Sequence, residues 1–265
     1  MPDTQSPSLA DPVREEVWRL AEAALPPGLG ANALLRPLLG SIPLDGLAGT
    51  PPEALAAMTT SLFGLAASRP PGQARLRVLP AGRFAHPVLE IVTDDMPFLV
   101  DSVLAALVRA GRPPRQVLHP VLAVTRDAQG GLVSIGEGPL RESMMRISFA
   151  GADTGGAATE ALVAATLADV RAAVADFTPM VAALRAAQEG LDADERAFLE
   201  WMADDNFVLL GHRQLVLEGA GFRAEDSLGL LRDTQLPVFD ALRDLAAVPD
   251  AVRAGITSSR RVTVA

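Results

Sequence analysis

No cysteine, lysine or tyrosine occurs in the 265 residues, and each absence closes off a class of chemistry. Without cysteine the chain forms no disulfide, no thiolate metal site and no thiol nucleophile. Without lysine, Schiff-base catalysis and a phosphate-loop lysine are excluded; all 23 basic residues are arginine. Without tyrosine there is no phenolic acid. Aromatic residues make up only 4% of the chain, and three histidines are the only side chains that ordinarily titrate near neutral pH. No apolar run reaches the ~18 residues of a membrane span. The N-terminal MPDTQSPSLADP lacks the basic start and apolar middle of a signal peptide. Positive charge is the minority sign, with a net charge of −9 and no segregated basic patch. This argues against nucleic acid or an anionic membrane as partner. The expectation is a soluble, cytoplasmic protein of bacterial type.

What is present is apolar material, 49% of the chain, much of it alanine. The length suits one large or two modest domains. Residues 1–12 read as a polar, disordered arm. Val13–Leu25 reads as a helix with Val13, Val17, Leu20 and Ala24 on one face. Residues 28–33, GLGANA, match the relaxed dinucleotide pattern G-x-G-x-x-A. The pattern binds a cofactor only when a strand precedes it; here a helix and two prolines do, so it reads as a helix–helix connection. Ala31–Leu39 is a short helix interrupted by Pro37, and Asp45 falls in a Pro/Gly-rich turn. Glu53–Ser68 is a helix with Leu55, Met58, Leu62 and Leu65 inward. The first ~70 residues are thus helical, and a sheet begins with the alternating segment Ala74–Leu79.

The organising stretch is His86–Gly111, HPVLEIVTDDMPFLVDSVLAALVRAG. Leu89, Ile91 and Thr93 alternate with Val88, Glu90 and Val92, which predicts a strand. Asp94 and Asp95 are expected as N-cap oxygens, with Pro97 in the first helical turn. Val100, Val103, Leu104, Leu107 and Val108 form the apolar stripe, and Gly111 with Pro113 ends the helix.

Arg115–Thr125 alternates with apolar residues on both faces, the pattern of a sheet covered on both sides. Pro120 has no N–H for the ladder, so an edge or a bulge is expected there. Asp127–Gly131 signals a turn, Leu132–Ile135 a weak strand and Ser143–Phe149 a firm one, with Arg146 opposite Met145, Ile147 and Phe149. The helix Ala157–Gln188 carries Val163, Leu167, Val170, Val174, Phe177, Val181 and Leu184 at spacings of 4, 3, 4, 3, 4 and 3. That seam packs either on its own sheet or on a second subunit. Pro179 should kink the helix near Ala175–Phe177. A helix at Asp192–Asp204, a strand at Asn206–Leu217 and helical fragments follow. The chain stops at Arg261–Ala265, RVTVA, which reads as a strand just beginning, so the expectation is an N-terminal piece of a longer protein. The order β, β, α, β, β, α from Ala74 predicts an α+β, ferredoxin-like two-layer sandwich. The expected divisions are an arm and helices at 1–70, this sandwich with its long kinked helix at 71–189, and the truncated start of a second α+β module at 190–265.

Chemistry is harder to place. Asp94–Asp95 could act as a metal or acid/base pair, but consecutive side chains diverge, so capping and solvation explain them better; Asp204–Asp205 carries the same readings. His86 and His119 both precede proline and could approach one another on neighbouring strands with Glu90. His212, beside Arg213, reads as solvent-facing. No G-x-S-x-G, H-E-x-x-H or phosphate loop is present. The residues by themselves reach an α+β binding or regulatory region with no catalytic, cofactor or metal site.

The runs IVTDDMPFLVDSVLAALVRAG, LHPVLAVTRDAQGGL, ESMMRISF and LADVRAAVADFTPM, with RPPGQARLRVLP upstream and LEWMADDNFVLLGHRQL and SLGLLRD downstream, resemble the N-terminal region of the large bacterial NAD-specific glutamate dehydrogenases. The resemblance runs from about Arg69 to the C-terminus. It implies a regulatory and oligomerisation region built from ACT-type ferredoxin-like modules. It also implies a parent enzyme that interconverts L-glutamate and 2-oxoglutarate with NAD, and a catalytic domain lying elsewhere in the polypeptide. The catalytic lysines of that family find no match here. The expected partners are the remainder of the same polypeptide, a second copy in a homo-oligomer and an amino-acid effector. The turn DDMPFLVDSV resembles the ACT strand-to-helix turn, which makes Asp94, Asp95, Met96 and Phe98 the effector-binding candidates. Phe98 stands where such turns usually have glycine and is expected to fill the pocket. Asp94 and Asp95 would set negative charge against an effector carboxylate. The rival reading is a stand-alone ACT-type amino-acid sensor that controls a separate enzyme.

Overall fold

A computed structural model describes the chain at residues 12–27, 30–82, 84–151, 156–188, 191–218, 221–233, 236, 246, 248–250, 253–254 and 261–264. The polar arm at 1–11 and the first two residues of the GLGANA pattern lie outside these. The fold is α+β, with N-terminal helices followed by antiparallel sheet, and the chain divides into two compact units, Met1–Leu167 and Ala168–Ala265.

In the first unit, α1 (Pro12–Ala23), α2 (Asn32–Leu39), α3 (Leu44–Ala48) and α4 (Pro52–Ala66) precede a six-stranded sheet. The turn that holds Asp45 contains the short helix α3, which the Pro/Gly-rich composition concealed. Pro51 and Pro52 start α4, where a missing N–H costs nothing. The strands are β1 (Arg75–Leu79), β2 (Val88–Asp94), β3 (Pro114–Leu118), β4 (Val121–Arg126), β5 (Leu132–Ile135) and β6 (Leu140–Phe149). Their order is β1-β2-β6-β4-β5, and β3 also pairs with β6.

This topology is ferredoxin-like with one substitution. In that fold a strand after the second helix lies antiparallel beside the first strand. Here β1, from before the core, takes that place beside β2. Segment 115–125 divides at His119–Pro120 into β3 and β4, which pair with successive halves of β6. The missing proline N–H interrupts the ladder, but the register is the same on both sides, Leu118 opposite Arg146 and Val121 opposite Ser143, so there is no bulge at Pro120.

Both sheet faces are covered. Val92, Met144, Leu118, Leu122 and Val124 share a core with Leu34, Leu38, Leu55 and Leu62 of the N-terminal helices. Leu89, Ile91, Met145 and Ile147, on the other face by strand alternation, are also fully buried. Helix α5 (Leu99–Arg109) buries Leu99, Val103, Ala106 and Leu107. Its stripe is rotated from the expected one, so Val108 lies exposed. Gly111 ends α5 at φ +71°, and the Arg112 and Gly111 amides donate to Leu107 O and Val108 O at 2.9 and 3.0 Å. That is a Schellman closure, and it needs the glycine conformation.

The predicted kink is a full break. α6 (Gly156–Ala175) stops at Asp176 and α7 (Phe177–Ala186) begins beyond it, because the Pro179 ring collides with the carbonyl four residues back. Along the seam Val163, Leu167, Val170 and Leu184 are buried and Val174, Phe177 and Val181 half-buried. In the second unit, α7 shares a core with Leu199, Ala203, Leu209 and Leu228. α8 (Ala193–Trp201) opens on a capping box between Asp192 and Glu195 and runs into a π-helical turn, Met202–Asn206. The strands β7 (Gly211–Glu218), β8 (Gly221–Gly229) and β9 (Arg261–Val264) pair in the order β8-β7-β9. β7 starts later than expected, and β8 occupies a stretch read from the sequence as turns and helical fragments.

Candidate functional site

The strand-to-helix turn between β2 and α5 is the most unusual backbone in the described structure. Phe98 has φ +67° and is the one non-glycine residue with positive φ among the described residues. Such a conformation costs a bulky L-residue roughly 1–3 kcal/mol. The expected capping by aspartate does not occur. Asp94 is still in β2, opposite Glu142. α5 begins only at Leu99, after Pro97, and Phe98 at its N-cap supplies no side-chain acceptor. The early amides of α5 therefore have no side-chain cap, and a helix N-terminus of this kind holds a carboxylate well. The Phe98 side chain is about half exposed, at 49%.

The two aspartates are paired unequally, Asp94 tightly and Asp95 loosely. Asp94 Oδ1 accepts from Arg69 Nη2 at 2.7 Å. The Asp95 amide donates to Arg141 O at 3.0 Å, and Asp95 Oδ2 lies 3.8 Å from Arg141 Nε. Met96 and Pro97 complete the turn. Left-handed geometry at residue 98 predicts an inverted order of stability, with Phe98→Gly above Phe98→Ala by about 1 kcal/mol. Urea unfolding of the two variants measures this; alanine equal to or above glycine would mean a right-handed turn.

Behind the turn lies a charge network that sequence reasoning missed. Arg69 and Glu142 are fully buried. Glu142 Oε1 accepts from Arg69 Nη2 at 2.7 Å and from Arg126 Nε at 2.5 Å, while Oε2 accepts from Arg126 Nη2 at 2.8 Å. Arg69 also donates to Gln73 O, and Arg126 to Gly130 O. The segment after α4, the end of β2, the end of β4 and the start of β6 are thereby tied at one corner of the sheet. Further along the same face, Glu90 accepts from Arg77, from Arg146 at 2.7 Å and from Ser61 at 3.0 Å. The usable signal in the sequence was a charged residue at mid-strand in a sheet covered on both faces, since a buried charge needs an opposite partner.

The histidines do not assemble into a site. His86 lies just before the start of β2. His119 Nε2 is 2.5 Å from Ser143 Oγ, and Ser143 pairs with Thr93 at the far end of β2. Glu90 is held by arginines. Among the described residues no cluster of three or more His, Asp or Glu side chains could hold a metal. His212 is buried, not solvent-facing, and its Nδ1 has no hydrogen-bond partner among the described residues. Burial lowers the pKa of both His119 and His212, opposed by the charge of Asp95 for the first and of Asp226 for the second. Their folded forms resist protonation, so each contributes stability that is present above about pH 6.5 and is lost as pH falls through the depressed folded value. NMR titration should give both midpoints below about 6.5; a higher midpoint for either would contradict the burial.

Among the described residues no helix is long and apolar enough to cross a membrane. Residues 34–167 match the family described as "Glutamate dehydrogenase, ACT1 domain". Three relatives are named NAD-specific glutamate dehydrogenase. That of Halomonas elongata is 31% identical across 75% of this chain and 14% of its own length. That of Pseudomonas aeruginosa is 34% identical across 49% and 9%. That of Mycobacterium tuberculosis is 29% identical across 54% and 10%. The chain thus spans about a seventh or less of the curated relatives it matches. The matched region holds α2–α4, the whole six-stranded sheet, the β2–α5 turn and the Arg69–Glu142–Arg126 network, and by that match the chain belongs to the ACT1-domain family of glutamate dehydrogenase.

Proposed function

We propose that this chain is the N-terminal regulatory region of a cytoplasmic, homo-oligomeric NAD-dependent glutamate dehydrogenase, and that it carries no catalytic or NAD-binding residue itself. The parent interconverts L-glutamate and 2-oxoglutarate with NAD, and its catalytic residues lie in the remainder of the polypeptide. The observation that carries this reading is the family match over residues 34–167. The sequence has no lysine, so the catalytic lysines that the family resemblance implies must be supplied elsewhere in the polypeptide. The β2–α5 turn is the effector site in this reading. Its uncapped helix amides receive the α-carboxylate of an amino acid, and Asp95, less tightly paired than Asp94, receives the α-ammonium.

Two assays test this. The isolated chain should form no NADH from glutamate and NAD, and turnover by it would refute the non-catalytic role. In the longer polypeptide, Asp95→Ala should shift the concentration of amino acid that gives a half-maximal response and leave the effector-free kcat unchanged. An identical response curve would remove the turn from regulation.

A further inference from the structure

The second unit carries an apolar surface that the reading above does not use. Phe198, Trp201, Phe207, Val208 and Leu210 are five of the eleven large apolar side chains that stand exposed among the described residues. Their rings form one cluster: Phe198 stacks on Trp201 at 6.1 Å, and Phe207 meets Trp201 edge-on at 5.7 Å. In a chain with 4% aromatic residues, three adjoining exposed rings make a patch, not scattered surface residues. The π-helical turn Met202–Asn206 lies between Trp201 and Phe207, in a geometry frequent at functional sites. Exposed Trp and Phe are also the side chains on which protein interfaces concentrate their binding energy.

The rim decides what can cover it. Asp194, Glu195 and Glu200 lie on the same helix as Phe198 and Trp201, Asp192 caps it, and Asp204 lies in the turn between Trp201 and Phe207, while α8 carries a single arginine, Arg196, and α7 contributes Arg185. Arg185 is already paired with Glu200 and Asp204, and Arg196 with the Leu191 carbonyl. A second copy laid on the same patch would set acidic rim against acidic rim, within a chain of net charge −9, and like-charge juxtaposition is disfavoured. We propose that this face is a docking site for a basic amphipathic helix of a protein partner, its apolar stripe on Phe198, Trp201 and Phe207 and its cations on the acidic rim. A helix suits the surface because Phe198 and Trp201, three residues apart on α8, form a ridge of the kind that packs into the groove of another helix.

The experiment titrates the whole 265-residue chain into three fluorophore-labelled peptides of about five helical turns, followed by anisotropy. One is a Leu/Arg amphipathic helix, the second the same residues scrambled so that no face is apolar, the third the amphipathic helix with Glu for Arg. The first should bind saturably, at least about tenfold tighter than the others, and weaken severalfold between about 0.05 M and 0.5 M salt. Phe198→Ser combined with Trp201→Ser should weaken it by at least about tenfold. Asp194→Lys, which leaves the rings in place, should weaken it less, and circular dichroism should show every variant folded. Equal binding of the scrambled peptide, no loss in the double serine variant, or no binding at all would overturn the proposal. So would concentration-dependent self-association that the serine variant abolishes, because the patch would then belong to a second copy.

Discussion

Glu142→Ala should destabilise the first unit by about 4 kcal/mol, a large share of the about 5–15 kcal/mol that typically holds a domain folded. Glu142 is fully buried and holds two buried arginines through four hydrogen bonds of 2.5 to 3.1 Å. Deleting its carboxylate strands both guanidiniums away from water, with only Asp94 and the carbonyls of Gln73 and Gly130 left to accept from them. The cost is that of the orphaned charges, not the net worth of the pairs. A triple change, Glu142→Leu with Arg69→Met and Arg126→Leu, should therefore recover part of the loss, since a wholly apolar replacement leaves no unpaired charge. Equilibrium urea unfolding measures both. A loss under about 1 kcal/mol for Glu142→Ala would mean that water reaches the network.

The same network sets a pH dependence. Burial by itself would raise the Glu142 pKa, but hydrogen bonds from Arg126 and Arg69 outweigh it and hold the carboxyl below its ordinary value. A depressed folded pKa gives stability that is present above the unfolded value of about 4.3 and is lost as pH falls through the folded value. Acid unfolding of this unit should thus set in below about pH 4, and Glu142→Gln should flatten that limb.

Gly130→Ala should cost about 3 kcal/mol. Gly130 has φ +85°, and a Cβ there would stand 2.4 Å from the Arg69 carbonyl oxygen and 2.8 Å from its carbon. Those atoms are backbone, so they cannot swing aside as a side-chain tip would. The Gly130 carbonyl also accepts from the Arg69 amide at 2.9 Å and from Arg126 Nη1 at 2.8 Å. Displacing the loop therefore loosens the two arginines that hold Glu142. Urea unfolding again gives the measurement. A cost below about 1 kcal/mol would indicate that the β4–β5 loop separates from Arg69 without strain.

Elements whose period and punctuation agree were legible in the sequence. The β2 and β6 strands and the interruption at Pro179 follow from alternation and proline chemistry, and Pro120 marks where the third strand is interrupted. Contacts between segments far apart in sequence were not. Arg69 and Glu142 are 73 residues apart, and no local pattern announces that they meet. The aspartates of the turn illustrate the same limit. Asp followed by proline and an apolar stripe has the composition of a cap, but pairing of Asp94 with β6 and Arg69 keeps it in the strand and postpones the helix to Leu99. His212, beside Arg213, reads as solvent-facing in the sequence. Both are buried, Arg213 because it donates to Ser227 and to the carbonyls of Leu231 and Asp233.

The most direct test of the account is calorimetric titration of the chain with a panel of amino acids, glutamate and aspartate included, on the wild type and on Asp95→Ala. The account predicts saturable heat from at least one amino acid, weakened by the substitution while the urea midpoint stays unchanged. No heat across the panel at high protein concentration, or an isotherm indifferent to Asp95, would contradict an effector site at the β2–α5 turn.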